Sequence, residues 1–117
     1  MALARPAHRL LTTLTAWAVA AQFFLAGSGA FGATSFDPHR VLGFVVVVMS
    51  IVVLGAAAAA RRYVRQSALV VLLVLVQVGL AEGADHSSKW FGAFHGLNAL
   101  AVMIAVGLLA RRAWQER

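Results

Sequence analysis

The 117-residue sequence contains no cysteine. Without thiols the chain cannot form a disulfide, an iron–sulfur cluster, a thiolate zinc site or a covalent c-type haem attachment. Charge is also scarce, since only 12% of the residues are Asp, Glu, Lys or Arg, whereas 62% are hydrophobic. A soluble domain of this size could not bury so much apolar surface, so we expect lipid to be the solvent for most of the chain.

Acidic residues are few, with four against ten basic ones, and the formal net charge is +6. The basic residues fall in short clusters between or beyond apolar runs. No basic stripe is interleaved with aromatic residues, as a nucleic-acid surface requires, so the sequence predicts no nucleic-acid partner. The abundance of Ala, Val, Gly and Arg is typical of a GC-rich bacterial genome.

Four apolar segments are present, at about residues 10–27, 41–60, 63–81 and 90–110. Each is close to the ~20 residues that cross ~30 Å of hydrocarbon as a helix. Short loops favour antiparallel neighbours, so the sequence predicts one all-α domain, an integral membrane four-helix bundle. The first segment alone also fits a cleaved signal peptide, because Arg5 and Arg9 precede it. Cleavage would, however, destroy the repeat described below.

The distribution of arginine predicts the orientation of the bundle. One side would carry eight arginines, namely Arg5, Arg9, Arg61, Arg62, Arg65, Arg111, Arg112 and Arg117. The other side would carry Arg40 and Lys89 with three of the four acids. We therefore expect a multi-pass protein of a bacterial plasma membrane with both termini in the cytoplasm.

The two halves of the chain share a pattern. Gln22-Phe-Phe-Leu-Ala26 aligns with Gln77-Val-Gly-Leu-Ala81, and each glutamine is followed in the next apolar segment by a histidine, His39 or His95. The glutamines are 55 residues apart and the histidines 56. This spacing predicts two tandem helical hairpins related by a pseudo-twofold axis along the membrane normal.

The two histidines are the strongest chemical signal. Either one alone would be read as an interfacial residue that reaches water, and Gly43, beside His39, as a residue that lets helices approach closely. Their equivalence across the repeat instead predicts two imidazoles on diagonal helices, which suits bis-histidine ligation of haem b. Gln22 and Gln77 lie deeper, and their amides need partners: each other, a backbone carbonyl, a haem edge or an imidazole N–H.

A second metal hypothesis adds His86 to His39 and His95, with a carboxylate from Asp37, Glu82 or Asp85. Three imidazoles and a carboxylate suit Zn²⁺ or Cu²⁺. We expect His86 to be solvated, and His8 to lie at the cytoplasmic side without a role in the site.

The motifs resemble those of haem A synthase. His39-Arg40-Val-Leu-Gly43 is similar to the His-Arg-x-x-Gly start of a helix in that family, and Gln77-Val-Gly-Leu with His95-Gly-Leu-Asn-Ala99 is similar to its glutamine helix and next histidine helix. Haem A synthases carry two four-helix bundles, each with a histidine pair, and this chain looks like one of them. The resemblance implies a haem-binding bundle with these histidines as ligands.

One departure bears on activity. The catalytic half of that family has a glutamate three residues before the histidine, where this chain has Phe36. A haem carrier or electron-transfer protein is therefore favoured over a haem A synthase, with Arg40 or Lys89 near the haem propionates. A redox partner or a second copy of the chain would complete such a role. The alternatives are a cofactor-free accessory subunit of a membrane complex and a small transporter or channel.

Overall fold

The computed structural model describes residues 3–115, which form four α-helices. They are α1 (Ala4–Ala30), α2 (Asp37–Ala60), α3 (Val64–His86) and α4 (Lys89–Gln115). Each helix is long and apolar enough to cross a membrane. The molecule extends 45 Å along its longest axis, close to the ~40–45 Å of a bilayer with its headgroups. The predicted all-α four-helix architecture is confirmed.

The helices are longer than the apolar segments from which they were predicted, because their terminal turns include polar residues. α1 continues beyond residue 27 through Gly29 to Ala30. α2 begins at Asp37, with Pro38 in its first turn, where a missing N–H costs nothing. Phe36 is the N-cap and makes no side-chain hydrogen bond.

The α2–α3 connection is a tight turn. Arg61 and Tyr63 both adopt left-handed backbone conformations, with φ of 53° and 59°. Tyr63 therefore precedes α3, although its apolar ring had predicted a place inside the helix. The turn is short enough to make α2 and α3 antiparallel neighbours.

The four helices form a square. α1 packs against α2 and α4, and α3 packs against the same two helices. The diagonal pairs are therefore α1 with α3, and α2 with α4. Because His39 lies in the first turn of α2 and His95 in the second turn of α4, the two histidines start from opposite corners at the same end.

We call this end, with the 31–36 and 87–88 loops, the histidine end, and the opposite one, with the α2–α3 turn, the arginine end. The buried hydrophobic core occupies only part of this length. It starts at a layer with one valine from each helix and continues toward the arginine end; the layer consists of Val19, Val46, Val74 and Val102. Among the described residues, none between this layer and the histidine end is buried. The bundle is thus packed in one half and hollow in the other.

The packed half also contains small hydroxyl side chains. Thr12, Thr15 and Ser50 are buried, and each donates to a carbonyl of its own helix at 2.7–2.9 Å. Such bonds satisfy a hydroxyl locally while its small size lets helices approach closely. His8 is buried with them, at 3% exposure, stacks on Tyr63 and lies 3.4 Å from Oγ of Ser67. His8 is therefore part of the packed half rather than a solvated residue.

Candidate functional site: a hollow end with two imidazoles

The hollow half of the bundle contains a cavity of about 570 Å³. This volume lies within the ~300–1,000 Å³ that small-molecule and cofactor sites occupy. All four helices line it, and the valine layer forms its floor. Every candidate residue from the sequence lines this one cavity, namely Gln22, His39, Arg40, Gly43, Gln77 and His95.

His39 and His95 meet across the diagonal of the square. Their ring centroids are 6.3 Å apart, and the ring planes make an angle of 74°. Nδ1 of His39 lies 3.1 Å from the backbone carbonyl oxygen of Gln22, and Nδ1 of His95 lies 2.9 Å from that of Gln77. The contacts are equivalent, one within each hairpin.

These contacts determine which ring nitrogen is available for chemistry. A carbonyl oxygen can only accept a hydrogen bond, so Nδ1 of each ring carries the proton and donates it. In a neutral imidazole the other nitrogen, Nε2, then keeps its lone pair. Nε2 of His39 and of His95 makes no hydrogen bond to any residue in the range 3–115. Both rings are therefore oriented by the backbone and keep one free ligand atom each.

The ring separation can be compared with the geometry of metal ligation. An imidazole nitrogen binds Zn²⁺ at about 2.0–2.1 Å. A five-membered ring with bonds of about 1.33 Å has its atoms about 1.1 Å from the centroid. Two imidazoles on opposite sides of one ion therefore have centroids about 6.4 Å apart. The observed 6.3 Å matches this value. Two aromatic rings in edge-to-face contact without a metal also have centroids about 4.5–7 Å apart. The centroid distance therefore supports metal ligation only together with the two free Nε2 atoms.

The backbone carbonyls of Gln22 and Gln77, rather than their amides, bond the imidazoles. The amide of Gln77 bonds a backbone carbonyl, which is one of the four partners considered for it. The amide of Gln77 is fixed separately: its Nε2 donates to the carbonyl of His95 at 2.9 Å, and its Oε1 accepts from Nδ2 of Asn98 at 2.7 Å. Asn98 also donates to the carbonyl of Leu73 at 2.9 Å. Asn98 is the one asparagine of the sequence, and it lies on the face of α4 that carries His95. The sequence pattern placed it there but did not reveal its role.

The first hairpin lacks this network. Asn98 follows His95 by three residues, and the residue at the same offset from His39 is Leu42. Oε1 of Gln22 is buried without a hydrogen-bond partner. Its Nε2 packs over Gly43, where a Cβ atom would approach it to 3.1 Å. The two halves of the site therefore share the backbone–imidazole bond and differ in the amide beside it.

Charged side chains surround the mouth of the cavity. Arg40 forms an ion pair with Asp85 at 3.6 Å, and Glu82 pairs with His86 at 3.4 Å. All four side chains are more than half exposed, so solvent screens these pairs and each contributes little to stability. His86 is solvated, as expected. The part of the chain that the structure describes contains no group of three or more His, Asp or Glu side chains placed to hold one metal ion.

The profile of one protein family matches residues 22–85. The chain belongs to DUF6220, a family of unknown function. The DUF6220 match begins at Gln22 and includes His39 and Gln77, whereas His95 lies beyond it. No curated protein and no solved structure matches the chain. The resemblance of this DUF6220 protein to haem A synthase stays a prediction.

Proposed function

We propose that this protein is an integral membrane b-type haem protein in which His39 and His95 are the axial ligands. The observation that carries the proposal is the pair of backbone-oriented imidazoles with free Nε2 atoms and centroids 6.3 Å apart. Iron held by two histidines has no open position, which suits one-electron transfer or haem handling. A haem carrier is thus favoured over an oxygen-activating enzyme.

The walls of the cavity support a flat, largely apolar occupant. Five of the lining residues have a small side chain or none: Ala26, Gly43, Ala81, Gly96 and Ala99. Together with the valine floor they leave room for a flat ligand beside the imidazoles. The backbone bonds to Nδ1 fix the tautomer and the ring orientation and raise the basicity of Nε2 toward a metal. Arg40 at the mouth, although paired with Asp85, is the nearest cation for a propionate group.

Tandem duplication of a hairpin explains how two imidazoles would reach equivalent places. Besides the histidine–carbonyl pairs, each hairpin packs a phenylalanine ring against a glycine near the end of the preceding helix. A Cβ atom at Gly29 would lie 2.9 Å from the ring of Phe36, and one at Gly83 would lie 2.9 Å from the ring of Phe91. These paired contacts support a pseudo-twofold axis along the bundle, which would be the membrane normal. The arginine end would then face the cytoplasm, with both termini.

The shape of the cavity favours a binding site over a transport path. Its floor, the valine layer, is at most 5% exposed, and the packed core continues from there to the arginine end. A channel or transporter would need a continuous line of polar groups along the same axis, whereas Thr12, Thr15 and Ser50 bond carbonyls of their own helices. An accessory subunit without a cofactor would not need two oriented, unprotonated ligand atoms.

The test is titration of haemin into the purified protein in detergent, followed by visible absorption. We expect a Soret band and a low-spin, six-coordinate spectrum that shifts on reduction by dithionite. His39→Ala and His95→Ala should each abolish the six-coordinate spectrum. His86→Ala is the matched control, because His86 lines the same cavity but is exposed and paired with Glu82. Its spectrum should equal that of the wild type.

Circular dichroism of each variant separates loss of ligation from loss of fold. A protein with native helix content that binds no haem would overturn the proposal. So would a spectrum that is six-coordinate in both histidine variants, or that is lost equally in the His86 control.

A further inference from the structure

The two hairpins hold their imidazoles with different strength. We infer that His39 is the replaceable axial ligand and that a small neutral diatomic molecule, for which carbon monoxide is the probe, can take its place while His95 stays bound. This inference rests on the proposed haem site. It adds a ligand-binding activity that a permanently bis-histidine protein would lack.

His95 is held by a closed network. Its Nδ1 donates to the carbonyl of Gln77, and the amide of Gln77 returns a hydrogen bond to the carbonyl of His95. Asn98 locks that amide and is itself bonded to the carbonyl of Leu73. Four hydrogen bonds of 2.7–2.9 Å thus join α3 to α4 around this imidazole. Moving the ring of His95 would disturb the whole network.

His39 has a single hydrogen bond of 3.1 Å to the carbonyl of Gln22. Leu42, in place of an asparagine, offers nothing to the amide of Gln22, whose Oε1 stays buried and unpartnered. A buried amide oxygen without a donor is destabilising, so a rearrangement that supplies one is favoured. Movement of the His39 imidazole therefore breaks fewer hydrogen bonds than movement of the His95 imidazole.

The backbone under His39 is also less constrained. His39 is the third residue of α2, in a first turn that is bonded to the preceding loop: the N–H of Asp37 donates to Oγ of Ser35, and that of Arg40 donates to the carbonyl of Phe36. The preceding loop, residues 31–36, is exposed along its whole length. His95, by contrast, is the seventh residue of α4, within the regular hydrogen-bond ladder. Helix ends open at lower free energy than helix interiors, so the His39 side is expected to swing away first.

The exchange balances without any redox step. If haem is bound, His95 would keep its coordination position throughout, whereas Nε2 of His39 would give up its position to carbon monoxide, a neutral ligand, with no change in oxidation state. The released Nε2 would keep its lone pair and accept a hydrogen bond from water at the mouth of the cavity. Gln22, which lines the same cavity, has an amide that no network holds and that can turn toward the new ligand.

The test measures carbon monoxide binding to the dithionite-reduced haem protein by stopped-flow absorption. The decisive variant is Leu42→Asn, which places a donor beside Oε1 of Gln22, as Asn98 stands beside Oε1 of Gln77. One added buried hydrogen bond, about 1 kcal/mol, should slow carbon monoxide binding about fivefold. Asn98→Leu is the mirror variant. It loosens His95 instead of His39, so it should not slow carbon monoxide binding.

A measurement on the haem-free protein keeps the inference falsifiable if Leu42→Asn does not fold. Hydrogen exchange should be faster for the backbone amides of residues 39–43 than for those of residues 95–99. Equal protection of the two segments would contradict the inference.

The outcomes separate the two proposals. A six-coordinate haem protein that takes up no carbon monoxide, or whose rate responds to Asn98→Leu and not to Leu42→Asn, overturns the replaceable His39 and leaves the haem site intact. A protein that binds no haem overturns both.

Discussion

At the scale of the residue, the site relies on main-chain atoms more than on the side chains that signal it. The carbonyls of Gln22 and Gln77 orient the two imidazoles, and any residue at those positions would supply a carbonyl. Replacing the side chain of Gln22 therefore leaves the bond to His39 in place. The glutamine amides instead limit the space next to the imidazole rings. At Gly43 there is little room for a side chain beside the amide of Gln22.

Gly43→Ala should weaken haem binding. The new Cβ would lie 3.1 Å from Nε2 of Gln22, closer than ordinary van der Waals contact, so the amide must shift within the cavity that both residues line. A misfit near the lower end of the cost of overpacking, about 1 kcal/mol, corresponds to about a fivefold rise in the Kd for haem. Haemin titration followed at the Soret band measures it.

Gly55→Ala is the control for this substitution. Nothing lies within 4 Å of a Cβ atom at Gly55, so only helix propensity changes there. That variant should keep the wild-type Kd and gain up to about 1 kcal/mol of stability. Equal Kd values for the two variants would show that the amide of Gln22 does not border the cofactor.

At the scale of the element, each hairpin is closed by an aromatic ring that lies on a glycine. Phe36 precedes α2 and packs on Gly29, while Phe91 near the start of α4 packs on Gly83. The glycine permits the contact because a β-carbon there would overlap the ring. Each ring thereby fixes the start of the helix that carries a histidine relative to the helix that carries its carbonyl partner.

Gly83→Ala should destabilise the bundle by about 1–3 kcal/mol through overpacking. Its Cβ would lie 2.9 Å from Cγ and 3.3 Å from Cβ of Phe91, so the ring cannot swing clear without moving α4. Gly29→Ala should cost less, since it meets only ring atoms of Phe36. Gly27→Ala, with nothing within 4 Å, is the control. Thermal unfolding in detergent, followed by circular dichroism, gives the order; equal midpoints for all three would refute the role of the rings.

The elements also show what the sequence can and cannot reveal. Apolar runs of about 20 residues predicted the four helices because lipid leaves the backbone no other form. The extra turns at helix ends, such as Ala4–Arg9 in α1, are polar and have no hydropathy signal. His39 and His95 could be predicted as candidates because they occupy equivalent places in the repeat. The sequence could not reveal that the carbonyls of Gln22 and Gln77 accept hydrogen bonds from the imidazoles, because every residue has a carbonyl. The hydrogen bonds of Asn98 could not be predicted either, because they depend on the register between α3 and α4.

At the scale of the whole molecule, the packed core and the candidate site lie in different halves of the bundle. The core, with Val53, Val70, Val106 and Leu109 at 2% exposure or less, lies toward the arginine end and holds the four helices together. The histidine end leaves about 570 Å³ unfilled. A ligand that binds the folded state alone would stabilise it further by mass action. The proposed orientation places this hollow half on the outer side of the membrane, where the mouth would face a periplasmic or external partner.

The absence of native cysteine allows a direct test of that orientation, because a single introduced thiol is then the one thiol in the chain. Ser35 lies in the exposed 31–36 loop at the histidine end, and Gln66 is an exposed residue in the first turn of α3 at the arginine end. If the arginines face the cytoplasm, Ser35→Cys should react with a membrane-impermeant maleimide in intact spheroplasts. Gln66→Cys should react only after lysis.

Each variant is the control for the other, because neither substitution changes a charge or a residue of the site. In inside-out vesicles the labelling pattern should be reversed. Labelling of Gln66→Cys from outside, with Ser35→Cys protected until lysis, would invert the bundle. The imidazole pair would then face the cytoplasm, and any redox partner would have to be sought there. Labelling of neither thiol even after lysis would contradict the exposure of both bundle ends, and with it the placement of the helices across the bilayer.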